Sequence, residues 1–89
     1  MNSYLRIKQA LSDLTEGDVI FSLDQPEEIA HGDYATNISF PLSKKEGVSP
    51  KAYAENVLPR LLETLSDVVE KIEVAGPGFI NFFLKDTVK

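Results

Sequence analysis

The chain has 89 residues, 43% of them hydrophobic and 26% charged, enough for one modest core and too apolar for a disordered tail. It has no cysteine, which excludes disulfides, thiol nucleophiles and thiolate metal sites. Nine basic against 14 acidic residues give a net charge of −5, which argues against a general nucleic-acid binder; any RNA contact must be local or steered by another domain.

No run approaches a membrane-spanning length, and residues 1–14 lack the apolar stretch and cleavage site of a signal peptide. A cytoplasmic location away from membranes is the expectation.

Tyr4, Ile7, Leu11 and Leu14 recur at intervals of three and four, which predicts a helix over 3–14, capped by Ser3 and stopped near Gly17. Residues 19–23 are β-rich, with Val19, Phe21 and Leu23 sharing one face of a short strand. Residues 24–32, with Pro26 and three acids, read as an irregular connection or an edge strand.

Asp33 is placed to cap a second helix over 33–45, with Ala35, Ile38 and Leu42 buried and Tyr34 and Phe40 flanking them. Pro41 should bend that helix. Ser49 and Pro50 form a strong helix start, and Ala54, Val57, Leu58, Leu61, Leu62 and Leu65 carry the period to about residue 66. Pro59 should kink this third helix near Glu55 without ending it.

Residues 68–74 and 79–84 form two strands joined by Ala75-Gly76-Pro77-Gly78, a hairpin. The fold class is α+β: a single small domain, its helices packed on one face of a small antiparallel or mixed sheet, ending in a β-hairpin.

Few residues suggest chemistry. His31 lies in a polar stretch with no nucleophile or oxyanion hole marked near it, so no catalytic residue is expected. No cluster suits a metal. Gly76-Pro77-Gly78 is followed by a strand rather than a helix, which fails both the phosphate-loop and the dinucleotide patterns. Lys44, Lys45 and Lys51 are the only basic concentration. They suit a solvated loop; Lys44 and Lys45 are also candidates for contact with RNA.

The last strand is more telling. Ile80, Phe82 and Leu84 share one face, while the other shows Phe79, Asn81 and Phe83. A face that merely met water would be polar. An aromatic ring can stack on an unpaired base and an amide can read its edge. The plain alternative has Phe79 and Phe83 packed beneath the N-terminal helix.

His31-Gly32-Asp33-Tyr34-Ala35-Thr36-Asn37 resembles the opening signature of the N-terminal additional domain of bacterial-type arginyl-tRNA synthetases. The segment from Ala75 to Leu84 is similar to that domain's closing signature, and the likeness covers nearly the whole chain. The resemblance implies a domain of residues 1–89 that touches the D-loop at the outer corner of tRNA. Phe79 and Asn81 match the aromatic and amide positions that meet a D-loop base. Asp33, Gly76, Pro77 and Gly78 belong to the structural motif.

The parent enzyme implied is an arginine–tRNA ligase, monomeric, which uses ATP bound elsewhere to join arginine to tRNA in protein biosynthesis. The sequence carries neither that family's ATP-binding motifs nor its anticodon-binding domain. These 89 residues are therefore expected to need no cofactor and to catalyse nothing alone. Their partners would be tRNA and the parent's own catalytic domain. The competing function is a bracing or protein-interaction domain without RNA contact. Exposure of Phe79 and Asn81 favours RNA; their coverage favours bracing.

Overall fold

The computed structural model describes residues 2–17 and 19–88. The elements run α1 (Ser3–Thr15), β1 (Leu23–Asp24), a 3-10 turn (Ile29–His31), β2 (Tyr34–Thr36), α2 (Ser39–Glu46), α3 (Pro50–Thr64), β3 (Val69–Ala75), β4 (Phe79–Leu84) and a second 3-10 turn (Asp86–Val88). Three helices pack against one four-stranded sheet of order β1-β2-β4-β3. Every neighbouring pair is antiparallel, which settles the sheet as antiparallel throughout.

The core follows the periodicity. Ile7 and Leu11 of α1, Ala54 and Leu61 of α3, and Leu65 just beyond it are buried. They meet Val69, Ile72, Ile80, Phe82 and Leu84 from one face of the hairpin. Tyr4 of α1 meets Tyr34 of β2 edge-on, ring centroids 5.6 Å apart. Ser49 caps α3 as expected, its hydroxyl oxygen accepting from Ala52 N at 3.1 Å. The helix runs unbroken past Pro59. Glu55, whose carbonyl loses its donor there, lies on the exposed side.

Several expectations need correction. The helix cap at the N-terminus is Asn2, not Ser3; the Asn2 oxygen accepts from Leu5 N at 2.8 Å. At the other end Glu16, in the left-handed region at φ 57°, closes α1 one residue before Gly17.

In the 19–23 segment only Leu23 is in strand geometry. Val19 and Phe21 still pack on the core while Ile20 is 95% exposed, so the alternation of faces holds without the ladder. Side chains hold the segment instead. Thr36 Oγ1 donates to the Ser22 carbonyl at 2.7 Å, and Ser22 N donates to Asn37 Oδ1 at 2.7 Å.

The larger correction concerns Asp33, which does not cap a helix. Its backbone N donates to the Phe82 carbonyl at 2.8 Å, and its carboxylate accepts from Leu84 N at 2.8 Å. Residues 34–36 are a strand wedged between β1 and β4, and the second helix starts only at Ser39. Pro41 then falls in the first turn, where no helical N–H bond is required, so it needs no bend. Ile38 and Leu42 are buried as expected, but Ala35 lies on the opposite sheet face from the core.

Among the described residues no helix is long and apolar enough to cross a membrane.

Candidate nucleic-acid interface

Successive residues of a strand point to opposite faces, and cross-strand partners share a face. The outer face of the sheet, away from the helices, therefore carries three rows. Ala75 pairs with Phe79; Glu73, Asn81 and Ala35 lie abreast; Lys71 pairs with Phe83. Alanines at 35 and 75 are too short to fill the space between their larger neighbours. The result is a cavity of about 210 Å³.

Ala35 and Asn81 form its floor, and Ala75, Gly76 and Phe79 its hairpin side. Pro26 and His31, from the irregular segment that precedes β2, also line it. Phe79 is 43% exposed, a large apolar side chain left open to solvent. Its ring is held from one side by Phe40 of α2, edge-on with centroids 5.0 Å apart. Asn81 is only 5% exposed and lines the cavity. Exposure therefore divides the pair: the aromatic is presented and the amide is recessed below it.

The hairpin turn fixes the height of Phe79. Gly78 has φ +142°, and a Cβ there would stand 2.7 Å from Pro50 Cβ and 3.0 Å from Lys51 N. Only glycine lets the turn dock on the start of α3. The buried Ser39 hydroxyl donates to the Gly78 carbonyl and ties the turn to α2 as well.

Of the other residues singled out in the sequence, Phe83 lies further along the outer face and outside the cavity. It is half-buried, with the Lys71 ammonium 4.4 Å from its ring centroid. It does not pack beneath α1. Gly76 lines the cavity, while Pro77 is exposed in the turn. Lys44 and Lys45 are exposed in the last turn of α2, outside the cavity lining. Lys44 is four residues beyond Phe40, on the helical face of the ring that supports Phe79.

The seven residues of the 31–37 motif acquire individual reasons. His31 lines the cavity. Gly32, at φ +88°, leaves room for β4: a Cβ would sit 2.7 Å from the Phe82 carbonyl oxygen. Asp33 clamps β4, Tyr34 meets Tyr4, and Ala35 floors the cavity. Thr36 and Asn37 hold Ser22. Pro26 and His31 were not expected at the site. The signal available was the position of His31 at the head of the motif.

Two other hollows suit a nucleic acid less well. The groove between α3 and β3, about 440 Å³, is lined by the acids Glu55 and Glu73 beside Leu58, Pro59, Ile72 and Val74, and would repel phosphate. The one on α1, about 360 Å³, lies among Leu5, Lys8, Gln9 and Ser12 and offers no aromatic platform. Among the described residues no group of three or more histidines, cysteines or carboxylates is placed to hold a metal.

Comparison with known proteins places both motifs inside one matched region. The chain is 44% identical over 75 residues to an arginine–tRNA ligase of Citrifermentans bemidjiense, covering 83% of this chain and 13% of that protein. It is 47% identical over 68 residues to one from Hydrogenovibrio crunogenus, covering 76% of this chain and 11% of the relative. It is 46% identical over 70 residues to one from Carboxydothermus hydrogenoformans, covering 79% and 12%. The chain thus spans a small fraction of the length of the relatives it matches. Residues 5–84 match the family described as the arginyl tRNA synthetase N terminal domain, and the chain belongs to that family.

Proposed function

We propose that residues 1–89 are the tRNA-recognition domain of an arginine–tRNA ligase, and that the outer face at Phe79 and Asn81 receives an unpaired base of the tRNA D-loop. The observation that carries this reading is the open Phe79 ring beside a cavity with Asn81 on its floor. Phe79 offers the base a stacking surface, steadied by Phe40. Asn81, with both a donor and an acceptor, offers its edge a hydrogen-bonding partner. Lys44, one helical turn beyond Phe40, and Lys45 beside it supply positive charge for the neighbouring phosphates. Phe83 extends the apolar surface along the strand.

In this reading the parent enzyme is a cytoplasmic monomer that activates arginine with ATP and transfers it to tRNA through residues outside this chain. The domain's part is to orient the tRNA. A net charge of −5 gives little long-range attraction. Affinity then comes chiefly from linkage to the catalytic body, which raises the effective concentration of a weak local contact.

A second reading, bracing of the catalytic body without RNA contact, draws on the low exposure of Asn81. A thermodynamic cycle separates the two. Charging kinetics are measured for a full-length ligase carrying this domain, with and without Phe79→Ala, on tRNA with and without a swapped D-loop base. Contact predicts that the double change costs clearly less than the sum of the single ones. Strictly additive losses support bracing.

A further inference from the structure

Resting on the base-binding reading above, we propose that His31 is a specificity-determining residue of the cavity, reading the base that stacks on Phe79. Of the cavity's lining side chains only Asn81 and His31 carry hydrogen-bonding atoms; the rest are proline, alanine, glycine and phenylalanine. The two polar groups come from different elements, Asn81 from β4 and His31 from the 3-10 turn before β2. A base stacked on Phe79 therefore turns one part of its edge toward an amide and another toward an imidazole. Each group offers a donor and an acceptor when neutral. Stacking accepts any base, so discrimination has to come from these two.

The backbone around His31 is held for such a role. On one side His31 N donates to the Glu28 carbonyl at 3.0 Å, closing the 3-10 turn. On the other, Gly32 lies against the Phe82 carbonyl with no room for a Cβ, and Asp33 N donates to that same oxygen at 2.8 Å. The residue is thus anchored to β4, the strand that carries Phe79 and Asn81, while its own side chain is exposed. A polar group on a fixed backbone loses little freedom when it engages a ligand. The Gly32–Asp33 attachment and the placement of His31 are one device: clamping β2 to β4 sets the width of the cavity.

His31 is the only histidine in the chain, so its ring protons give isolated signals in a nuclear magnetic resonance spectrum. The experiment titrates the chain with three hairpin RNAs that share a stem and carry loops of adenines, cytosines or uridines. Wild type, His31→Ala, His31→Gln and Phe79→Ala are compared. The expected result has four parts. The His31 ring gives nuclear Overhauser contacts to a loop base. Wild type separates its best loop from its worst by about fivefold, the worth of one hydrogen bond. His31→Ala lowers that ratio clearly, leaving only the share owed to Asn81, and His31→Gln restores part of it. Phe79→Ala weakens all three loops about tenfold and leaves the ratio in place.

Loss of affinity in Phe79→Ala with an unchanged ratio in His31→Ala overturns the role of His31 and leaves the base-binding reading standing. No perturbation of the cavity by any of the three RNAs overturns both. Because His31 is exposed, its variants should keep the wild-type amide spectrum elsewhere. A His31→Ala spectrum changed throughout the core, with discrimination lost in His31→Gln as well, assigns the residue to structure and also overturns the proposal.

Discussion

The two faces of β4 are built by alternate residues of one six-residue strand, and they differ in almost everything. Toward the helices, Ile80 and Phe82 are fully buried and Leu84 nearly so. Away from them, Phe79 is open, Asn81 sits recessed under a cavity and Phe83 lies half-covered beneath a lysine. The inner face carries one aromatic ring and the outer face two, so hydrophobicity alone does not tell them apart. What differs is the opposing layer. One face meets α1 and α3; the other has alanines at 35 and 75 as its neighbours, with Phe40 against Phe79 and Pro26 and His31 lining the cavity. The same strand can therefore anchor the fold and present a ligand surface, provided that its outer neighbours are small.

The largest expected effect is on the inner face. Phe82→Ala should cost about 3–5 kcal/mol of unfolding free energy, since a large buried ring leaves a cavity behind. Denaturant titration reads this, and a cost below about 1 kcal/mol would show the inner face to be loosely packed. Next comes the clamp between the faces. Gly32→Ala forces a side chain into the Phe82 carbonyl at a positive φ, and should cost roughly 2–3 kcal/mol. Asp33→Ala, which leaves Leu84 N without its carboxylate, should cost about 1.5–3 kcal/mol. Chemical denaturation of both variants checks this; stability equal to wild type would mean that β2 holds without them.

On the outer face the balance reverses. Phe79→Ala should cost about 1–2 kcal/mol, its edge contact with Phe40 plus partial burial, well below Phe82→Ala. In a full-length ligase it should nevertheless raise the tRNA dissociation constant about tenfold. A stability loss like that of Phe82→Ala would erase the distinction between the faces.

The smallest effect lies outside both faces of β4, where Arg6 bonds Asp67 through two nitrogens at 2.7 and 3.1 Å. The hydrogen bond from Arg6 holds the Asp67 carboxyl below its usual range. A depressed folded value makes the pair's contribution fully present above the unfolded value of about 4 and lost as pH falls through the folded one. Asp67→Asn should therefore slightly lower the thermal midpoint at neutral pH and flatten its decline in acid. An unchanged acid slope would show that the pair adds nothing.

The sequence made the helices and hairpin legible because their signals are local. The period of Ala54, Leu61 and Leu65, the Ser49-Pro50 start and the glycine turn each depend on neighbours in the chain. It hid β2 because Asp33-Tyr34-Ala35 carries a good cap and a plausible buried stripe. What overrules them is a partner about fifty residues away, the Phe82 and Leu84 backbone. The site was half legible for the same reason. Phe79 and Asn81 could be read from alternation within one strand. Pro26 and His31 join them only after β2 docks beside β4 and carries the preceding segment over the outer face.

The claim that the outer face is the RNA surface is tested most directly by mapping amide chemical shifts of the chain on addition of its cognate tRNA. Changes should concentrate at residues 26–36 and 75–81 and spread to Phe40 and Lys44, with α1 and the exposed side of α3 unmoved. Changes centred on the groove of Glu55, Leu58 and Ile72, or on α1, with residues 75–81 silent, would contradict it.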